Sequence, residues 1–253
     1  MQPHESIRHA IESADGPAIV AFLTAGYPDR GRFLADLEAV AKAADAVEIG
    51  VPFSDPMADG VTIQRSSRSA IEQGVSLRWI LDELERRDYA LPAPVLLMSY
   101  LNPLLAFGYD ALAARAAESG VSGFIVPDLP FEESGPLREA LASRGLALVQ
   151  LVTPATPPER LEALCRASSG FVYAVTRTGI TGSGALPAEL ESYLAAVKAA
   201  SPLPVCAGFG VREPAQVAEI GRHVDGVIVG SALVEVLERG EDPAAFLAAL
   251  RGR

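Results

Sequence analysis

Ala46-Val-Glu-Ile-Gly-Val-Pro-Phe-Ser-Asp-Pro-Met-Ala-Asp-Gly60 is a five-residue apolar run that breaks at once into a proline-braced polar loop. The chain repeats this arrangement eight times. The other apolar runs begin near Ala18 (AIVAFL), Pro94 (PVLLM), Val121 (VSGFIV), Ala147 (ALVQLV), Gly170 (GFVYAV), Leu203 (LPVCA) and Asp225 (DGVIVG). They are short, rich in Val and Ile, and continuous rather than alternating, as strands buried on both faces of a parallel sheet read. Amphipathic stretches separate them. In the first, Phe33, Leu34, Leu37, Val40, Ala41 and Ala44 share one face, with Asp36, Glu38 and Lys42 outside it. Helix starts are marked by Asp29 after Pro28, by Glu213-Pro214 and by Asp242-Pro243. The second connection is long enough for two helices, about 61–73 and 76–88, broken at Gly74. Eight such units in 253 residues predict an α/β protein, a closed (β/α)8 TIM barrel with extra short helices, forming one domain over 1–253. An open doubly wound sheet is the alternative, since periodicity does not show closure.

In a barrel, the segments after the strands lie at the active face. In the opening stretch Glu48 is read as ending the run, its carboxylate at the strand's carboxyl edge facing a cleft, and Asp59 lies in the loop held by Pro52, Pro56 and Gly60. Two carboxylates held separately take different pKa values and divide the acid and base roles of one reaction. After the seventh run stands Gly208-Phe-Gly210, and after the eighth Gly230-Ser231 opens a further helical stretch, Ala232–Leu237. Glycines at these two places and a short helix's free N–H groups suit a phosphate, so a small phosphate ester is the expected substrate; tight βα turns are the plainer reading. The sixth loop, 176–187, carries Gly179, Gly182 and Gly184 with Arg177 and Thr181, and reads as a lid or as an ordinary surface loop.

Composition narrows the function further. Residues are 49% apolar, no run reaches the roughly 18 residues of a membrane span, and Met1–Ser6 lacks the pattern of a signal peptide. A cytoplasmic protein is expected. The net charge of −11 argues against nucleic acid. Cys165 and Cys206, far apart, read as buried reduced thiols rather than a disulfide or metal site. Only Lys42 and Lys198 are lysines and neither ends a strand, which disfavours Schiff-base chemistry.

Several segments together resemble the α subunit of tryptophan synthase over nearly the whole chain. They are Phe22–Asp29, Glu48–Gly60 running into Thr62-Ile-Gln64, Val126–Pro130 with Glu132-Glu-Ser134, Arg177–Gly182 and Gly208–Gly210. The resemblance implies retro-aldol cleavage of indole-3-glycerol phosphate to indole and glyceraldehyde 3-phosphate, a lyase reaction of tryptophan biosynthesis without metal or organic cofactor. It implies that Glu48 is the acid/base and that Asp59 binds the indole N–H. Phe22, Ile63, Leu97, Leu129 and Tyr173 would line the indole site, and Thr181 would bond Asp59 on closure. Phosphate contacts would fall on Gly182, Phe209, Gly210, Gly230 and Ser231. The implied partner is a β subunit in an α2β2 heterotetramer, with pyridoxal phosphate in that partner and Pro52, Asp55, Asn102 and Asp128 at the interface. His4, His9 and His223 match nothing catalytic. The chain departs from the family's pattern at Val61, where proline is usual, in a glycine-rich lid, and in a short segment before the first run without the expected N-terminal helix pattern. A stand-alone lyase releasing free indole, a docking subunit that mainly activates the β subunit, and another phosphate-binding barrel enzyme are the other readings.

Overall fold

The computed structural model describes residues 1–176, 186–208 and 210–252. Each of the eight apolar runs is a strand: β1 (Ala18–Thr24), β2 (Ala46–Gly50), β3 (Val95–Met98), β4 (Val121–Ile125), β5 (Ala147–Val152), β6 (Val172–Val175), β7 (Val205–Gly208) and β8 (Gly226–Val229). All neighbours pair in parallel, and β1 pairs with β8, so the sheet closes on itself. This settles the open-sheet alternative in favour of the barrel.

Alternation along each strand builds two cores. Val20, Ala46, Leu96, Ile125, Val149, Cys206 and Ile228 point into the barrel. Ile19, Val47, Leu97, Phe124, Leu148 and Val227 point outward against the helices. Both faces of the sheet are thus buried, which is why the runs carry no visible alternation in sequence.

Among the described residues twelve α-helices accompany the strands: α1 (Pro3–Glu12), α2 (Phe33–Ala43), α3 (Val61–Glu72), α4 (Leu77–Glu85), α5 (Leu101–Phe107), α6 (Tyr109–Glu118), α7 (Gly135–Ala142), α8 (Pro158–Ala167), α9 (Ala188–Ala200), α10 (Pro214–Ile220), α11 (Ser231–Glu238) and α12 (Pro243–Leu250). The second connection holds two helices, as the sequence predicts. Gly74, at φ +81°, lies between them, and Ser76 Oγ caps α4 by accepting the Trp79 N–H at 3.3 Å. Asp242 caps α12 through the N–H groups of Ala244 and Ala245. Asp29 caps a single 3-10 turn ahead of α2 rather than α2 itself.

Two expectations need correction. Asp36 does not lie outside the apolar face of α2. It is only 4% exposed, hydrogen-bonded by Arg32 at 3.0 Å, with burial pushing its carboxyl above the usual range. The segment before β1 does form a helix. Pro3 at its first turn and Glu5, whose carboxylate accepts the Gln2 N–H at 2.8 Å, start α1. Ile7 and Ile11, four apart on one face, are buried with the barrel interior and close its amino-terminal end. Cys165 and Cys206 are both buried free thiols. Among the described residues no helix is long and apolar enough to cross a membrane.

Candidate active site

The carboxyl ends of the strands enclose a cavity of about 300 Å³. Strand register decides what faces it. Phe22 pairs with Glu48 and Glu48 with Leu96, so these three side chains share one inward layer, while Gly50 pairs with Met98 one layer higher. Glu48 is therefore on the barrel axis side of β2, not at its last residue. It is fully buried, and neither carboxylate oxygen has a hydrogen-bond partner among the described residues. Desolvation alone pushes its pKa up to about 8, so the side chain is a neutral acid at pH 7. Above it, Gly50 leaves room that an added Cβ would take from the Phe22 ring. The ring instead lies across the bare backbone and forms a wall of the cavity.

Asp59 reaches the same cavity from the loop that follows β2. Its loop is pinned by Tyr100, just past β3. The Tyr100 hydroxyl accepts the Ala58 N–H at 2.9 Å and hydrogen-bonds the Asp59 carboxylate. Phe53 stacks on the Tyr100 ring with centroids 5.0 Å apart. Gln64 Nε2 donates to the Asp59 carbonyl at 2.9 Å. Burial raises the Asp59 pKa and the Tyr100 bond opposes that rise by favouring the charged form. Glu48 and Asp59 thus occupy one cavity in different surroundings, the first fully buried and without a partner among the described residues, the second held by a hydroxyl donor.

Tyr173, on β6, is the third polar group. Burial, with Glu48, Cys206 and Asp59 nearby, holds its hydroxyl well above the ordinary tyrosine pKa, so it stays protonated. It packs over Gly208, where a Cβ would stand 3.1 Å from the hydroxyl.

The far end of the cavity is made by Gly208, Gly210, Gly230 and Ser231. Gly210 has φ +65°, a conformation that favours glycine, and open space where a Cβ would be. Gly230 is the N-cap of α11; its carbonyl accepts from Leu233 and Val234, at 2.9 and 3.1 Å. The first N–H groups of α11 have no acceptor inside their own helix and can serve an anion. Among the described residues lining the cavity none is Arg, Lys or His, so the donors that these residues offer an anion are backbone N–H groups and the Ser231 hydroxyl.

Of the residues expected at the site, Glu48, Asp59, Phe22, Ile63, Tyr173, Gly210, Gly230 and Ser231 come together around this one cavity. Leu97 does not: it alternates outward from β3 into the helix-facing core, and Met98 lines the cavity instead. Leu129 does not line the cavity either: it lines a smaller recess with Phe131 and Arg160, and Pro127 and Leu151 border both spaces. Arg177, Thr181, Gly182 and Phe209 lie outside the described residues. Tyr100, which holds the Asp59 loop, is a residue that the motifs did not single out. Its position in the loop after β3 was the available signal. Of the expected interface positions, Asp55 and Asn102 are exposed, but Pro52 is buried within the chain itself. Asp128 is half-buried and accepts the Leu101 N–H at 2.9 Å, capping α5. Met57, Val61 and Leu105 are the exposed large apolar residues nearby, at 81%, 78% and 52%.

The family model for the tryptophan synthase alpha chain matches residues 9–250. The tryptophan synthase alpha chain of Desulfovibrio desulfuricans is 46% identical over 248 residues, 96% of this chain and 97% of the relative. That of Solidesulfovibrio magneticus is 46% identical over 242 residues, 95% of this chain and 94% of the relative. Among solved structures, tryptophan synthase subunit alpha from Legionella pneumophila superposes with a TM-score of 0.89 at 32% identity, covering 100% of this chain and 98% of that one. Tryptophan synthase from M. tuberculosis gives 0.88 at 35% identity, covering 99% and 97%. With its closed barrel and the two acids of one cavity, the chain belongs to the tryptophan synthase alpha chain family.

Proposed function

We propose that the cavity cleaves indole-3-glycerol phosphate to indole and glyceraldehyde 3-phosphate, with Glu48 as the proton carrier. The observation that carries this reading is the neutral Glu48 carboxyl, fully buried and without a partner among the described residues. Such a group is loaded to donate, and a bound substrate would supply the acceptor.

The phosphate would sit at Gly210 and the first turn of α11, which directs the ring toward Phe22, Ile63, Met98 and Leu151. Glu48 gives its proton to indole C3. That makes the ring an indolenine, an electron sink for the bond between C3 and the side-chain carbon. The indole N–H, now carrying positive charge, donates to the Asp59 carboxylate, whose ionised form the Tyr100 hydroxyl favours. The hydroxyl on the side-chain carbon then loses its proton to Glu48, the C–C bond breaks, and its electrons restore the indole. One proton leaves Glu48 and one returns, so the cycle needs no added acid, base or cofactor. General acid–base help of this kind is worth about 10²- to 10⁴-fold per group.

The proposal extends to a β subunit that receives the indole in an α2β2 assembly and carries pyridoxal phosphate. Asp55, Asn102 and the exposed Met57 and Leu105, around the rim of the cavity, are the supporting surface. The test is steady-state release of indole by the purified chain, with and without a β subunit, with Glu48→Gln as control. Slow release, strong stimulation by β and loss in the variant are expected. Fast release without response to β would replace the complex with a stand-alone lyase. No release under either condition would overturn the assignment.

A further inference from the structure

Two polar rungs join the helix at the phosphate end to the helix that follows Asp59. Glu235, one turn into α11, takes a bidentate pair from Arg212, at 2.7 Å to Oε2 and 3.0 Å to Oε1. The same carboxylate accepts Thr62 Oγ1 at 3.1 Å. Three residues on, Glu238 pairs with Arg65, and the Tyr27 hydroxyl bonds with both. Thr62 and Arg65 stand three apart on α3, as Glu235 and Glu238 do on α11, so the rungs lie on facing stripes.

This network touches three segments that the chemistry needs in register. Arg212 lies two residues beyond Gly210. Glu235 belongs to the helix whose first residue, Ser231, borders the cavity. Thr62 is the second residue of α3, whose N-cap Gly60 directly follows Asp59. Gln64, on the same first turn, holds the Asp59 carbonyl. The first helical position is Val61, exposed, so no proline ring fixes that junction. Side-chain ties to the neighbouring helix therefore carry more of the restraint.

We propose that Glu235 is a positioning residue: through Thr62 it passes occupancy of the phosphate end to the Asp59 loop. This rests on the phosphate assignment made above. An anion at Gly210 and Gly230–Ser231 fixes the Arg212 loop and the first turn of α11. The rigid helix then fixes Glu235, and Glu235 fixes the start of α3 where Asp59 is hung. The pairs are partly exposed, with 54% of the Arg212 side chain and 24% of that of Glu235 in solvent, so the coupling is small. Roughly a two- to fivefold effect is expected for such contacts.

Hydrogen exchange on the full chain, with and without glycerol 3-phosphate, tests this. In the parent protein the ligand should slow exchange at 210–213 and 230–234 and also at 55–64. Thr62→Val should keep the first protection and lose the second, with kcat for indole release down roughly two- to fivefold and KM unchanged; Thr62→Ser should restore both. Glu235→Gln should behave as Thr62→Val in weaker form. Retained protection of 55–64 in Thr62→Val, or a loss of stability without loss of that protection, would overturn the coupling alone. No protection at 210–213 and 230–234 in the parent would overturn the phosphate assignment, and the coupling with it.

Discussion

Replacing Glu48 by Gln should make the protein's stability less dependent on pH. In the folded chain Glu48 keeps its proton up to about pH 8, whereas its ordinary value is 4.5. Between those values the folded state holds a proton that the unfolded state has lost. Stability therefore falls as pH rises through this window, and is level below 4.5 and above 8. At 1.36 kcal/mol per pH unit, the full loss is about 5 kcal/mol, of which about 3 kcal/mol is already lost at pH 7. The glutamine amide has nearly the same shape and does not ionise, so the variant is spared this loss. Equilibrium urea unfolding of both proteins at a series of pH values measures it. The difference in unfolding free energy should grow in favour of Glu48→Gln by roughly 3–4 kcal/mol between pH 5 and 8, even as the variant loses its activity. Taking the difference removes Asp36, Asp59 and other shifted groups common to both proteins. Curves that stay parallel over this range would show that Glu48 is not held neutral by burial, and would remove the basis for its role as proton donor.

The same titration governs rate: kcat/KM for indole release should decline above about pH 8 as Glu48 loses its proton, which a pH–rate profile checks. Tyr100→Phe removes the hydroxyl that holds Ala58 and Asp59 and should lower kcat about tenfold, the worth of one hydrogen bond to a charged group, measured by steady-state kinetics. Gly210→Ala places a side chain at φ +65° and should cost about 1 kcal/mol of backbone strain, read as a roughly fivefold rise in KM with little change in kcat. Asp128→Ala uncaps α5 and should lower unfolding stability by about 1 kcal/mol, measured by urea unfolding of the isolated chain.

The eight strands were legible because a parallel sheet buried on both faces needs apolar residues at every position. That same property hid the parity of each strand. On β3, Leu97 and Met98 are equally apolar, and only the register with Gly50 tells that Met98 faces inward. Leu97 was therefore misplaced while Glu48, a lone charge within its strand, was not. Leu129 was misplaced for a different reason, since the loop after β4 turns it toward Phe131 and away from the axis. Asp36 reads as a surface charge because burial of an ion-paired acid depends on the neighbouring helix. The first helix was missed because it offers only two apolar anchors, Ile7 and Ile11, too few for a periodic signal. Tyr100 carries no motif; its role arises from a hydrogen bond to a loop 42 residues earlier.

The closing helix at the amino-terminal end of the barrel bears on the order in which the chain gains structure during synthesis. It is translated before all eight strands, yet the surface it rests on is assembled late. Ile7 packs over Gly170 in the core cluster that includes Phe171, and the His4 N–H donates to the Gly145 carbonyl at 3.0 Å. Some two-thirds of the chain has to be translated before that resting place exists. Until then Ile7 and Ile11 are solvent-facing on a ten-residue helix, too short to persist alone in water. Nascent chains arrested before residue 145 should therefore leave this segment open to a protease, and chains arrested well beyond residue 171 should shield it. A helix translated ahead of every strand thus finds its seat only after most of the barrel has been made.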